Sequence, residues 1–445
     1  MSLAKRILVV LVCLAIPGLP VLATGGQEAV PSEEVTLDFW HLWGGTREPI
    51  LNDLLARFTA KHPNITIEQT FTPAGSLQEK LFNATGTGTL PDVFIVNSSW
   101  FINLFPEKTM LALDPFVRKG NLKLDQILFP LEIFRNKWND KLHALSVTTS
   151  GAGKMLFYNK GLMRKAGLDP ESPPTIWKEL VHQSKTIVSE LNSGGELDVV
   201  GWNPAKEMGV MVCFCYGNDA PVISADSKTA QLDTPGVIEV AKAFESYITD
   251  VYGAFGGYEA LAEWTSRTIG VDTSMMVSGF VQEKEAFYIS GSWTINQVRE
   301  GNPDLDYGIV PVPGLKRQHG DSGYGGWSYG ISEDCPHPEE AWEFVKFITI
   351  DPEGNGEFCK AQLRPCPIMA INRDPIYKQE MGELWDMVLH VMELDQASGN
   401  NFYTTLIGYL EDIPNRRMAG ESTEEVLEDL NDDYQEYIDD IWSNL

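Results

Sequence analysis

The chain has 445 residues, 43% of them apolar, and carries 62 acidic against 34 basic side chains for a formal net charge of −28. That length exceeds what one ordinary core fills, so two domains are expected. A chain this negative repels nucleic acid and anionic lipid surfaces, which removes both from the expected partners.

Residues 1–23 read as a cleaved secretory signal. Lys5 and Arg6 precede an apolar run from Ile7 to Ile16, Pro17 and Gly18 break it, and Val21 and Ala23 stand where a signal peptidase reads small residues. The run falls short of the roughly 20 apolar residues that span a membrane. Cys13 lies inside it without the small residues expected before a lipidated cysteine. The mature protein is therefore expected in a periplasmic or other extracytoplasmic compartment. Residues 24–34 read as a flexible leader.

Strand and helix patterns then alternate. Residues 35–39 alternate like a strand, and 48–61 carry Ile50, Leu51, Leu54, Leu55 and Phe58 at helical spacing. Residues 65–71 alternate again, and 92–96 form a short buried-strand run after Leu90-Pro91. This βαβ layout implies a parallel sheet covered by helices. Helices are expected again at 339–350 and 423–442. The last opens with Ser422 and Glu425 at capping-box spacing and lines up Val426, Leu430, Tyr434, Tyr437 and Ile441.

Six of the twelve tryptophans sit in short Gly/Ser/Asn-rich segments after apolar runs: Trp40 and Trp43 in FWHLWGG, Trp100 in NSSW, Trp202 in GWN, Trp293 in GSW and Trp327 in GGW. A ring at a strand end can offer its face to a ligand, whereas a core tryptophan usually lies inside a periodic element. Taken one at a time, each reads equally as the rim of an ordinary core. As a set they point to segments converging on one cleft. His41, between aromatics, reads either as a donor to a ligand hydroxyl or as a packing residue.

Chemistry is sparse by comparison. Seven scattered histidines show no ligand spacing, so no metal is expected. There is no nucleophile elbow, and the Gly-rich stretches at 86–89 and 323–326 lack the lysine and spacing of a phosphate loop, so no cofactor is expected either. A glycosidase would need two opposed carboxylates, and nothing local nominates them. Of the five cysteines beyond the signal, Cys359 and Cys366 are spaced to close a small loop, but the number is odd and buried free thiols read equally well.

At this point the stretch KMLFYNKGLMRKAGLDPESPPTIWKEL (154–180) resembles the signature of extracellular solute-binding proteins of ABC importers, the family that includes maltose-binding protein. Other blocks follow in the same order: LDFWHLWGG, LPDVFIVNSSW, GSW at 291–293, DYGIVPVPG, YGGWSYGIS and EEAWEFVKFI. The resemblance implies an α/β, two-lobed periplasmic-binding-protein fold of type II character. Each lobe would be a mainly parallel sheet flanked by helices, with the ligand held between lobes by hinge closure. Lobe one is placed at 35–146 plus 329–372 and lobe two at 147–328 plus 373–445. The protein is expected to be a monomer, not an enzyme, that delivers a small-molecule sugar to the transmembrane subunits of a permease.

A pyranose has an apolar C–H face and a rim of hydroxyls, so its site needs aromatic platforms and short polar side chains. Carried over by position, the ligand-binding residues are Trp40, His41, Trp43, Asn97, Ser99, Trp100, Ser150, Trp202, Trp293, Trp327 and Tyr403, with Phe402 an alternative to the last. Trp293, Trp327 and Trp43 are the stacking platforms; Asn97, Ser99 and His41 are the hydroxyl partners. Where maltose-binding protein has charged groups after the position of Asp92, this chain has Ser98, Ser99 and Trp100, a departure from a maltose site. The same fold holding a polyamine, glycerol phosphate or other small solute is the alternative, and a secreted glycosidase a remote one.

Overall fold

A computed structural model describes residues 34–104, 109–138, 140–149, 153–192, 194–206, 208–269, 278–321, 326–396 and 403–444. The expected signal peptide, the leader up to residue 33, Ser150 and Phe402 lie outside the described residues, as do the side chains of Ser99 and Tyr403.

The chain opens with β1 (Val35–His41), α1 (Glu48–Lys61), β2 (Ile65–Phe71), α2 (Ala74–Thr87) and β3 (Val93–Asn97). Further on come β4 (Ala144–Ser146), β5 (Met155–Asn159), α3 (Trp177–Leu191) and α4 (Pro235–Tyr252). They are followed by β6 (Phe287–Ser290), α5 (Trp293–Gly301), β7 (Tyr307–Val310) and β8 (Trp327–Ile331). The rest is helical: α6 (Pro338–Ile350), α7 (Glu357–Ala361), α8 (Pro375–Met381), α9 (Glu383–Leu394), α10 (Tyr403–Leu410) and α11 (Thr423–Asn444).

Two main sheets organise these elements, a five-stranded one in the order β2-β1-β3-β8-β4 and a three-stranded one in the order β6-β5-β7. The first is the floor of lobe one. Its core gathers Phe39 of β1, Leu51 and Phe58 of α1, Phe94 of β3 and Phe344 of α6, so the helical spacing read in α1 is the face that packs. The second sheet is covered on both sides, as the alternation along β5 shows. Leu156 and Tyr158 point into the large core with α3, α4 and α11, while Met155 and Phe157 face a cluster containing Tyr377 of α8 and Trp385 of α9.

The capping box of α11 forms as its spacing predicts: the Ser422 N–H donates to Glu425 Oε2 at 2.9 Å, and the Glu425 N–H to Ser422 Oγ at 3.2 Å. Val426, Leu430 and Tyr434 are buried, with Tyr437 and Ile441 packed at the edge of the same core.

Strand direction departs from the expectation of mainly parallel sheets. β1 runs parallel to β2 and β3, but β8 is antiparallel to β3 and β4, and β5 is antiparallel to both β6 and β7. The reason is where the chain enters. β5 and β8 each follow a segment leaving the other sheet, so they start at the edge where the strands beside them end.

Candidate functional site

The C-terminal ends of β1, β2 and β3 lie side by side, which is where open α/β sheets bind ligands. Register sets His41 opposite Phe71 and Asn97 opposite Trp327, the first residue of β8. Trp100 follows in the next turn, and its ring meets Trp327 edge-on at 5.5 Å and 81°. Asn97 and Trp327 keep partial exposure, whereas Trp100 is 6% exposed and backs Trp327 from inside.

The two segments beside this edge are tied together. The Val147 N–H donates to the Trp327 carbonyl at 2.9 Å, and the Trp327 N–H to Thr148 Oγ1 at 3.4 Å. Below them the Thr149 hydroxyl donates to Glu132 Oε1 at 2.6 Å, with Arg135 Nε 3.8 Å from the same buried carboxylate. Gly326 is glycine for a local reason: a Cβ there would stand 2.4 Å from Arg135 Nη1.

Lobe two contributes Trp293, the first residue of α5, half-buried with its ring folded back over Gly291, where a Cβ would stand 2.0 Å from the indole. Tyr403 opens α10, which lies against the Ser98–Trp100 turn of lobe one. Two bonds cross between lobes along α5. Thr46 Oγ1 donates to Glu300 Oε1 at 3.1 Å, and Asn296 Nδ2 donates to the Gln362 carbonyl at 2.7 Å.

The remaining nominated residues are placed elsewhere by the fold. Trp202 is corrected from cleft to core: it is 1% exposed, stacked on Phe214 at 5.7 Å, with Phe244 and Tyr247 edge-on to it. Trp43 is fully buried, its indole N–H donating to Tyr329 Oη at 2.7 Å and its ring edge-on to Phe358 at 5.4 Å, so it offers no stacking face. Trp40 is a strand residue rather than a loop residue, and the Lys80 ammonium sits 3.7 Å over its ring.

His41 is likewise corrected from hydroxyl partner to packing residue. It is 2% exposed, stacked on Phe39 at 5.4 Å, and its Nδ1 accepts the Trp43 N–H at 3.2 Å. Burial lowers its pKa to about 4, against a smaller raising effect of its hydrogen bond to Gln69. His143 is lowered by burial too. The unfolded chain takes up these protons near pH 6.5 and the folded one only below that, so their contribution is intact above pH 6.5 and is lost as pH falls toward 4. Melting curves at pH 7.5 and 4.5 should show a smaller acid-side loss in His41→Gln than in the parent. Equal losses would remove His41 from the account.

Two residues of this edge escape the tryptophan pattern. Phe71, at the end of β2, is 51% exposed and packs against Gly44, where a Cβ would meet its ring at 2.6 Å. Its signal in the sequence is an aromatic closing an alternating strand before Thr-Pro. Arg47 covers the Trp43 ring at 5.4 Å. A cavity of about 530 Å³ lies nearby between α1, α7, the end of α5 and α8, and it meets this cluster through Phe358.

The model of the family of bacterial extracellular solute-binding proteins matches residues 44–352, well over half of the chain. The chain belongs to that family. Its activity is the binding of a solute, not its chemical conversion, and it works with an ABC permease. A putative binding protein of Brucella abortus (strain 2308) is 27% identical over 312 residues, 67% of this chain and 68% of that protein. The sn-glycerol-3-phosphate-binding periplasmic protein UgpB of Escherichia coli (strain K12) is 27% identical over 183 residues, 40% of each chain. Among solved structures, a protein with mannotriose bound shares the two-lobed fold with a TM-score of 0.74 at 20% identity, over 90% of this solute-binding protein and all of that chain.

Proposed function

We propose that this protein is the exported binding subunit of an ABC importer, capturing a carbohydrate between its lobes and presenting it to the permease. The observation that carries this reading is a pair of half-buried tryptophans, one per lobe: Trp327, backed by Trp100 at the strand ends of lobe one, and Trp293 at the start of α5 in lobe two. Rings held so leave apolar faces beside polar groups, which is what a sugar requires. Asn97, Ser99, Ser150 and Tyr403 complete the proposed site. The similarity of fold to a protein solved with mannotriose supports the ligand class.

A sugar touching both lobes gains its second set of contacts only when they close, so binding shifts the population toward the closed form. We place lobe one at 35–146 plus 329–372 and lobe two at 147–328 plus 373–445. We also place the mature N-terminus at Thr24 in the periplasm, and the mature protein acts as a monomer. The mass of exported protein tests the cleavage.

The reading is tested by thermal shift against mono- and oligosaccharides, glycerol phosphate and polyamines, since a ligand that binds only the folded state raises the melting temperature. Calorimetry on the hits should show Trp293→Ala and Trp327→Ala each weakening sugar binding by about 1 to 3 kcal/mol, the loss of one stacking face. Polyamine hits alone would overturn the ligand. Unchanged affinity would take the substituted tryptophan out of the site.

A further inference from the structure

Arg47 and Arg364 stand together at the seam between the lobes. Arg47 follows the Trp43 loop and covers that indole; Trp43 packs on Phe358 of α7; Arg364 lies just past α7, on the segment that crosses toward α8. Its carbonyl is held by the Tyr377 hydroxyl at 2.9 Å, and two residues earlier the Gln362 carbonyl accepts from Asn296 of α5. Asn296 is one helical turn from Trp293, a rise of about 4.5 Å. The two guanidiniums therefore border the helix whose first residue is the proposed stacking platform of lobe two.

Neither arginine has a carboxylate within ion-pair distance among the described residues, and the buried Nε of Arg364 has no hydrogen-bond partner there. The charges that act on Arg364 are the Arg47 guanidinium and the Cys359 thiol. Glu300 is the acid that acts on Arg47, and its carboxylate is hydrogen-bonded to Thr46. Burial pushes Arg364 down to about 10 and lowers Arg47 as well. In a chain with 62 acids against 34 bases, partners for two cations are abundant, and enclosing like charges together without one is unfavourable. Both side chains nevertheless keep partial exposure, so an incoming group can reach them. Paired planar forks are suited to an oxyanion, which they bind with strong charge-assisted bonds.

We infer that Arg47 and Arg364 form an oxyanion subsite, so that the captured carbohydrate carries an acidic group, a carboxylate or a phosphate. This rests on the carbohydrate reading and narrows it. The test is calorimetry of the full mature protein with matched ligands: glucose, glucuronate and glucose 6-phosphate, with mannotriose as a neutral oligosaccharide and glycerol 3-phosphate as an acidic non-sugar. At least one acidic sugar should bind about tenfold or more tightly than its neutral counterpart, and the preferred one names the oxyanion. In Arg364→Gln that ratio should collapse toward unity, while the ligand-free protein should melt no lower than the parent, because a buried cation beside another has been removed. Neutral sugars binding as well as acidic ones, with a ratio unmoved by Arg364→Gln, would overturn the subsite and leave carbohydrate binding intact. Binding confined to glycerol 3-phosphate would uphold the oxyanion and overturn the sugar; binding of none of the five would overturn both. A marked fall in the melting temperature of ligand-free Arg364→Gln would assign the residue a structural role and overturn the inference.

Discussion

Glu132→Ala is expected to destabilise the protein by about 3 to 5 kcal/mol, as removal of one partner from a buried ion pair does. Glu132 is 1% exposed, accepts from the Thr149 hydroxyl and lies 3.8 Å from the Arg135 guanidinium, so its loss leaves a cation enclosed against the segment at Gly326. For lobes of this size the fall in melting temperature would be on the order of 10 °C. Glu132→Gln keeps the shape and an acceptor for Thr149, and should fall between the parent and the alanine variant. Because this pair underlies the two segments that join the lobes, binding should suffer as well. An alanine variant melting within a degree or two of the parent would show that the pair contributes nothing to the fold.

Trp202→Ala should lower stability by a similar amount, about 3 to 5 kcal/mol, through the cavity left among Phe214, Phe244 and Tyr247. The Tyr247 and Tyr252 hydroxyls, which donate to the Trp202 carbonyl, lose the packing that positions them. Ligand affinity of the folded fraction should stay within about twofold, since no part of this ring reaches the surface. Denaturant unfolding and calorimetry on one preparation separate the two effects. A stable variant with much weaker sugar binding would return Trp202 to the cleft, and would mean that the lobe-two core opens to ligand.

Much of the fold was legible from local pattern. The helix at 48–61 and the strand at 65–71 have the bounds their periodicity predicts, and the capping box at Ser422 and Glu425 forms both of its bonds. Such signals are read over one or two turns of chain and do not depend on what packs against them. The ordered sequence blocks carried the family, and with it the two-lobed fold.

The site was legible only in part. Trp43 and Trp202 stand in the same Gly- and Asn-rich surroundings as Trp293 and Trp327, yet the first two are sealed in cores and the second two half-exposed. Trp43 is claimed by Tyr329, 286 residues away, and Trp202 by Phe244 and Tyr247 of α4. Burial of that kind is decided by distant partners, so no neighbouring residue announces it. Strand direction was hidden for a related reason: β5 and β8 turn antiparallel because of where the chain crosses between lobes. The Arg47 and Arg364 pair shows the same limit, as two unremarkable surface residues in sequence that meet at the seam. By itself the sequence determined where helices and strands begin and end, and which family their order belongs to, because short-range sterics and hydrogen bonding set those features. Only the tertiary structure decided which aromatic faces and which charges are left for a ligand, because that depends on what the rest of the chain has already covered.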